Sequence, residues 1–320
     1  MAIKRVSIEN FTVFDKLEID FCDGINIFIG ENGTGKTHLL KLLYATQTLH
    51  SSNYLYKPTE LFGNGFSVQN CCLYINGESS PWTLTIQQGI VQKTESHIQV
   101  DIDVKSSSVF IPAKEVLSMS NITRIAEEYK SALNLDVTLT DIIDKAQNMV
   151  PDTISEFALD IAQRIEKRIE GIVFFDDKEK TFWIHKDSGS KIPFSSEAEG
   201  YRKLGLLWQL VMNKSIKEGT VLLWDEPEAN LSRINTPDLV DILFELSRRN
   251  VQVFLATHDY NLMKYFSVKK NGSSEVAFFN LYKTGSRVAY EREDDYDLLE
   301  HNSIIDANTR LLEAEIERVL

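Results

Sequence analysis

Residues 25–37 read Ile-Asn-Ile-Phe-Ile-Gly-Glu-Asn-Gly-Thr-Gly-Lys-Thr, and the prediction of the fold starts from them. Isoleucine at every second position of its first half predicts a short, largely buried strand. The pattern Gly-x-x-x-x-Gly-Lys-Thr follows at residues 30–37, and the residues after it read as a helix. A strand, a glycine loop and a helix in this order form the context that a phosphate-binding loop requires.

The residue types in this loop suit a triphosphate. Glycines let the backbone curl, so that successive N–H groups and the N-terminus of the next helix point at one phosphate cluster. Lys36 is expected to reach the β- and γ-phosphates, and the Thr37 hydroxyl is expected to bind Mg²⁺. The predicted nucleotide-binding residues are Asn32, Gly33, Thr34, Gly35, Lys36, Thr37 and His38. The alternative is a glycine-rich turn that carries Lys-Thr by chance.

The composition is that of an acidic globular protein. Its 320 residues allow one large domain or two small ones, and a hydrophobic content of 43% is enough for a substantial core. The net charge of -13 argues against a surface that is basic overall and holds nucleic acid by counterion release. A local basic groove stays compatible with this charge.

Cysteine usage and hydropathy indicate the compartment. Cys22, Cys71 and Cys72 fit neither a disulfide framework nor a zinc site, because their number is odd and no C-x-x-C spacing occurs. A reducing cytosol is the simplest compartment for them. The first residues lack the apolar core of a signal peptide, and no apolar stretch approaches the roughly 20 residues of a membrane span. We therefore expect a cytoplasmic protein.

Periodicity and turn signals divide the remaining chain. Strands are predicted at residues 3–8, 17–21, 71–76, 82–87, 90–93, 97–103, 172–175, 181–185, 221–224 and 251–256. Helices are predicted at residues 38–50, between Pro151 and Gly171, at 198–213, at 237–249 and from about 260. Asn76-Gly77 predicts a hairpin turn, and residues 109–112 are expected to end the same sheet region. The acidic stretch at residues 291–297 is interpreted as a solvated charged loop.

Two strand ends carry the chemistry. The apolar strand at residues 221–224 ends in Asp225 and Glu226, and the carboxyl end of such a strand is where parallel sheets place ligands. Asp225 is expected to hold the Mg²⁺ shell, and Glu226 to orient and polarise the attacking water. The alternative is a solvated acidic turn.

The next apolar strand ends in His258, which is expected to contact the γ-phosphate and report its presence. A lone histidine is more often structural, but this one follows a carboxylate strand and its crossover helix. Asp259 is expected to cap the helix that follows. The predicted catalytic residues are therefore Lys36, Glu226 and His258.

These motifs resemble the ABC-type ATPase head shared by the SMC, RecF and OLD families, and most closely the small stand-alone OLD-like ATPases of bacteria and archaea. The stretches that carry the resemblance are residues 8–11, 30–37, 109–115, 224–231 and 256–259. The resemblance implies an α/β P-loop NTPase with a mixed sheet core, an antiparallel β subdomain and a helical lobe. It also implies ATP and Mg²⁺ as cofactors. The expected divisions of one head over residues 1–320 are a nucleotide-binding and β part (1–112), a helical lobe with the signature segment (113–200) and a C-terminal part (201–320).

The resemblance further implies a homodimer that sandwiches two ATP molecules. Each nucleotide would meet the loop of one chain and the signature segment of the other, here with Ser196, Glu199 and Gly200. Ala229 and Asn230 are expected in the loop that crosses the interface, although a simple turn is the alternative. The chain departs from the family pattern at Thr12, usually arginine, and at Ala198, usually serine, so a helix N-terminus capped by Ser196 is an alternative for the signature segment. The glutamine that senses Mg²⁺ stays open among Gln69, Gln87, Gln88 and Gln92.

The first functional hypothesis is an ATP-driven dimerising switch that Glu226-assisted hydrolysis reopens. The resemblance implies a separate effector, a nuclease or a toxin, in an anti-phage defence or toxin–antitoxin-like system. A RecF-like DNA-binding repair ATPase is the alternative, and the acidic net charge weighs against it. A transporter motor subunit is a third, disfavoured by the absence of a glycine-rich signature. The segment after residue 304 is expected to pack on the head or to offer a face to a partner.

Overall fold

The computed structural model describes residues 3–52, 58–62, 71–79, 96–102, 106–119, 136–272, 275–285 and 287–319. The strands are β1 (Ile3–Phe11), β2 (Phe14–Asp20), β3 (Ile25–Gly30), β4 (Cys71–Ile75), β5 (Glu78–Ser79), β6 (Ser96–Ile102), β7 (Ser108–Ile111), β8 (Gly171–Asp176), β9 (Thr181–Lys186), β10 (Lys191–Pro193), β11 (Val221–Asp225), β12 (Gln252–Thr257), β13 (Val276–Thr284) and β14 (Arg287–Glu293). The α-helices are α1 (Lys36–Ser52), α2 (Pro58–Phe62), α3 (Val137–Gln147), α4 (Glu156–Ile169), α5 (Glu199–Met212), α6 (Thr236–Arg248), α7 (Tyr260–Lys269) and α8 (Ser303–Val319).

A six-stranded sheet in the order β14-β13-β3-β12-β11-β7 forms the centre of the fold. Its strands pair in parallel from β13 to β7, and β14 joins the edge antiparallel to β13. Strands β3, β11 and β12 are buried along their whole length, which explains their almost uninterrupted apolar sequences. Their carboxyl ends meet at one edge of the sheet, and the loops that follow them carry the predicted site residues.

The central sheet separates two hydrophobic cores. Ile25, Ile27 and Ile29 of β3 face a core that includes residues of α4, α5 and α6. Phe28 faces the other core, which α1 and the strands β1, β2 and β6 complete. The alternation that predicted the strand therefore also decides which residue joins which core.

Two smaller sheets flank the centre. The five-stranded sheet β2-β1-β6-β4-β5 is antiparallel except for the parallel β4–β6 pair, and β10-β9-β8 is an antiparallel meander. Helices α3 and α4 pack on α5 beside that meander. The predicted class, an α/β fold with a mixed sheet core, an antiparallel β subdomain and a helical lobe, is confirmed.

Three local predictions need correction. Residues 109–112 do not end the N-terminal sheet region, because β7 pairs in parallel with β11 at the edge of the central sheet. The helix predicted from Pro151 begins at Glu156, since Ser155 is its N-cap and accepts from the Ala158 N–H. The stretch at residues 291–297 is only partly a loop, because it starts within β14 and contains the fully buried Tyr296.

The Asn76-Gly77 hairpin is confirmed, although its second strand is β5 rather than the strand predicted at residues 82–87. Residues 82–87 and 90–93 lie outside the described part of the chain, as do the four glutamines considered as a Mg²⁺ sensor. At the C-terminal end, Ile304 packs against the core, whereas Leu311, Leu312 and Ile316 of α8 are at least half exposed. None of the described helices has the length and apolar character needed to span a bilayer.

Candidate functional site

The glycine loop at residues 30–37 connects β3 to α1 and has a conformation that requires glycine. Gly30, Gly33 and Gly35 have φ values of 143°, 79° and 91°. A Cβ atom on Gly30 would lie 2.1 Å from the Leu281 carbonyl oxygen, and one on Gly35 would lie 2.6 Å from the Phe14 ring. The neighbouring strand and the β1–β2 turn therefore hold the loop tightly, and larger side chains are excluded.

Lys36 lies within the loop and is only 8% exposed. Its Nζ donates to the carbonyl oxygens of Gly30, at 2.7 Å, and Glu31, at 2.9 Å. Burial lowers the pKa of the Lys36 ammonium, and the neighbouring carboxylates, Asp225 and Glu226 first, oppose that shift. Two carbonyl oxygens of the loop therefore hold the Lys36 ammonium, and the oxygens of a bound anion could take their place as acceptors.

Thr37 and Asp225 join the loop to β11. The Thr37 hydroxyl donates to Asp225 Oδ2 at 2.9 Å, across 188 residues of sequence. Burial raises the pKa of Asp225, and this hydrogen bond acts in the opposite direction. Among the described residues, no group of three or more His, Cys, Asp or Glu side chains is arranged to hold a metal ion. Two oxygen ligands nevertheless fit Mg²⁺, which usually keeps water and substrate phosphates in its remaining positions.

Glu226 and His258 contact each other at the ends of β11 and β12. His258 Nδ1 lies 3.0 Å from Glu226 Oε1, and both side chains are partly exposed. Glu226 has a φ of 45°, a conformation that few residues other than glycine adopt. Its N–H donates to the Ala256 carbonyl oxygen at 2.8 Å, so the next strand fixes this turn.

A pocket of about 240 Å³ lies where these elements meet. Its lining residues are Val13, Asn32, Gly33, Gly35, Lys36, Thr37, His38, Asp225 and Glu226. Burial is the main cause that lowers the pKa of the His38 ring. Thr34 is the one predicted loop residue outside the lining, because it is buried and its hydroxyl donates to the Glu31 carbonyl oxygen at 2.9 Å. Val13 was not predicted.

The signature segment lies outside this pocket of its own chain. Helix α5 begins at Glu199 with Ala198 as an N-cap that makes no side-chain cap bond, while Ser196 belongs to a preceding 3₁₀ turn. A helix capped by Ser196 is therefore excluded. Gly200 is buried against the loop at Ala229 and Asn230, and a Cβ on it would lie 2.9 Å from the Asn230 carbonyl oxygen.

Two residues beside the site, Lys203 and Glu228, were not among the predicted site residues. Lys203 Nζ donates to the Glu226 carbonyl oxygen at 2.9 Å, and the residue is 2% exposed. Glu228 accepts from the Thr257 hydroxyl, and its other carboxyl oxygen is buried without a partner in the described part of the chain. Burial raises the pKa of Glu228 to about 7. A lysine on the apolar face of a helix was the signal that could have identified Lys203.

A glycine loop that faces a carboxylate strand and a histidine strand on a mostly parallel sheet defines the class of P-loop nucleotide-binding heads. Residues 107–264 match the family model described as "AAA domain, putative AbiEii toxin, Type IV TA system". Residues 1–60 match the model described as "AAA ATPase domain". These two stretches of the chain are therefore similar to ATPase domains of these kinds.

Curated relatives match over a short stretch. The DNA replication and repair protein RecF of Cytophaga hutchinsonii is 48% identical over 44 residues, which are 14% of this chain and 12% of that protein. RecF of Oceanobacillus iheyensis is 46% identical over 44 residues, again 14% and 12% of the two chains. The match thus spans about an eighth of the length of these relatives.

Solved SMC heads share the fold. The SmcHead bound to the C-winged helix domain of ScpA has a TM-score of 0.52 at 13% identity and covers 91% of this chain and 97% of its own. The Pyrococcus furiosus Smc head with an extended coiled coil has a TM-score of 0.50 at 12% identity and covers 99% and 100%. The predicted resemblance to the SMC, RecF and OLD type of ATPase head is consistent with all three comparisons.

The change Glu228→Gln tests the burial of the Glu228 carboxyl group. Because the folded chain raises its pKa from 4.5 to about 7, the protonated form is favoured on folding. The stability that Glu228 contributes is complete below pH 4.5 and is lost as the pH rises through about 7. The difference in unfolding free energy, wild type minus variant, should therefore fall by about 2 kcal/mol over this range.

Urea unfolding of both proteins, in steps between about pH 5 and pH 8, measures this difference. Glu218→Gln, at an exposed glutamate, is the matched control and should show no such slope. A difference between wild type and Glu228→Gln that does not change with pH would contradict the assignment.

Proposed function

We propose that this chain is a Mg²⁺-dependent ATP hydrolase whose heads dimerise around ATP. One observation carries the proposal: Lys36, Thr37, Asp225 and Glu226, from distant parts of the sequence, line one pocket at the carboxyl edge of the central sheet. The two matched ATPase family models and the fold shared with SMC heads support the same activity. We also propose that residues 1–320 act as one head, in the cytoplasm.

Four residues of the pocket have distinct proposed roles, and so does His258, which contacts Glu226 but does not line the pocket. Lys36 would exchange the carbonyl oxygens of its own loop for the β- and γ-phosphate oxygens. Thr37 and Asp225 would hold Mg²⁺, which supplies charge neutralisation at the phosphates when bound. Glu226 would accept a proton from the attacking water and orient it. His258 holds the Glu226 carboxylate through Nδ1 and would present its second ring nitrogen to the γ-phosphate.

The switch is proposed to work through contacts between two chains. The first turn of α5 lacks a side-chain cap, so backbone N–H groups near Ser196, Glu199 and Gly200 would be available to the nucleotide of a second chain. The adjacent loop with Ala229 and Asn230 would cross the interface. ATP would shift the equilibrium toward the dimer only through its stronger binding to the closed state.

A toxin–antitoxin-like or anti-phage system is the proposed biological setting. The supporting observation is the description of the family matched over residues 107–264, which names an AbiEii toxin and a type IV system. A separate effector, a nuclease or a toxin, would receive the signal. The alternative is a RecF-like DNA-binding repair ATPase, which the short RecF matches favour and the net charge of -13 disfavours. ATP hydrolysis that DNA stimulates in a salt-sensitive manner would favour repair.

Lys36→Ala tests the phosphate loop. Removing the ammonium should weaken Mg²⁺–ATP binding roughly 100-fold, because the charge would face the phosphates in a largely buried position. Isothermal titration of ATP into the folded variant measures the loss. The control Lys167→Ala, an exposed lysine on α4, should bind ATP normally. Unchanged affinity in Lys36→Ala would remove the loop from its role.

Glu226→Gln separates binding from turnover. The variant should bind ATP but hydrolyse it on the order of 100-fold or more slowly, because its amide cannot take the proton of water. Dimers should accumulate with ATP, as measured by light scattering after gel filtration, while Glu218→Gln behaves like the wild type. Normal turnover in Glu226→Gln would mean that another group activates the attacking water. A variant that stays monomeric at saturating ATP would refute the proposed dimerisation switch.

A further inference from the structure

Lys203 is a buried charge in the first turns of α5, on the helix face that packs into the protein. It is among the largest fully buried side chains, and buried leucines follow it at positions 204, 206 and 207. Burial lowers the pKa of Lys203, and nearby carboxylates, Glu228 first, oppose that shift. Burying an ammonium group costs free energy unless hydrogen-bond acceptors or opposite charges lie close to it. The groups around Lys203 therefore indicate its role.

The partner of Lys203 is the backbone of Glu226. Lys203 Nζ donates to the Glu226 carbonyl oxygen at 2.9 Å, and the Ala229 N–H donates to the same oxygen at 3.1 Å. Glu226 adopts a φ of 45°, which costs on the order of 1 kcal/mol for a side-chain-bearing residue. Two donors on one carbonyl oxygen therefore fix the orientation of a strained peptide, and with it the direction of the Glu226 side chain.

A second contact ties the same helix to the same loop. Gly200 lies one turn before Lys203, and a Cβ on it would lie 2.9 Å from the Asn230 carbonyl oxygen and 3.0 Å from Leu231 Cα. Because the helix backbone touches the loop backbone there, the two cannot shift independently without a clash. Helix α5 thus contacts both ends of the loop at residues 226–231.

We propose that Lys203 is a positioning residue that couples displacement of α5 to the orientation of the Glu226 carboxylate. This inference rests on the proposed function, in which the start of α5 meets the nucleotide of a second chain. Lys203 does not line the pocket beside the loop at residues 30–37, and it acts through its hydrogen bond to the Glu226 carbonyl oxygen. Through Lys203, ATP hydrolysis in one chain would depend on the contact of its α5 with the nucleotide bound to the second chain.

Lys203→Met tests the coupling, because methionine fills a similar volume without the donor. ATP affinity should stay within about threefold, since the loop at residues 30–37 is untouched, while kcat should fall roughly 10- to 100-fold as Glu226 loses its orientation. Cooperativity of hydrolysis with ATP concentration should fall toward a Hill coefficient of one. The matched control is Lys269→Met, which removes a lysine that donates to the Pro237 carbonyl oxygen at 2.9 Å on the far end of α7. Its kcat should equal that of the wild type.

If Lys203→Met does not fold, Lys203→Met with Glu228→Gln removes the buried carboxylate charge together with the ammonium and replaces the first variant. A folded variant with normal kcat overturns the positioning role, and so does a loss of ATP affinity in step with kcat. Failure of both variants to fold assigns Lys203 to stability alone. A wild-type protein that hydrolyses no ATP instead refutes the proposed function, which distinguishes the two failures.

Discussion

The parallel register of β3, β12 and β11 is the constraint on which the site depends. It sets Asp225 beside Ala256 and Thr257 beside Ile29, so the three strand ends lie at one level. These strands are buried on both faces. A shift of one residue in their pairing would move each side chain from one hydrophobic core to the other. The hydrogen bond between Thr37 and Asp225 is a consequence of that register, because it needs both strand ends at the same edge.

A triphosphate bound at this edge of the sheet would need a cation beside it. Burial raises the pKa values of Asp225 and Glu228, and it lowers those of Lys36 and Lys203, so each charge is tolerated largely because of the others. A triphosphate would add several negative charges next to the carboxylates. Coulomb repulsion at such distances is worth several kcal/mol in a partly buried pocket. Mg²⁺ between Thr37, Asp225 and the phosphates is the simplest compensation in an ATPase head of this type.

Much of this arrangement could be predicted from the sequence, because its motifs are local. The glycine loop needs positive φ at fixed positions, and continuous apolar runs that end in Asp225-Glu226 or in His258 report buried strands directly. The placement of β7 could not be predicted, because a short apolar strand fits either sheet and only its pairing with β11 decides. The start of α4 was missed because Ser155, rather than Pro151, supplies the cap.

The polar contacts of Lys203 were beyond the sequence for a different reason. Its partner is a backbone carbonyl oxygen 23 residues away, and backbone acceptors leave no trace in residue identity. The role of Gly200 was hidden in the same way, because its close neighbour is also a backbone group. The missing side chain lets the loop at Asn230 approach the helix, and it would equally allow contact with a phosphate. Both residues belong to one helix, which packs on the lobe and beside the edge of the central sheet that carries the candidate site. In the proposed dimer, such a helix would relate contacts between the chains to chemistry inside each head.

In the proposed mechanism, one triphosphate contacts residues at the ends of β3 and β11, and it then contacts a second chain. A crystal structure of the Glu226→Gln protein with ATP and Mg²⁺ tests it most directly. We expect the γ-phosphate between Lys36 and residue 226, the metal on Thr37 and Asp225, and the start of α5 from a second chain against the nucleotide. A nucleotide bound away from the loop at residues 30–37, or enclosed by one chain alone, would contradict it.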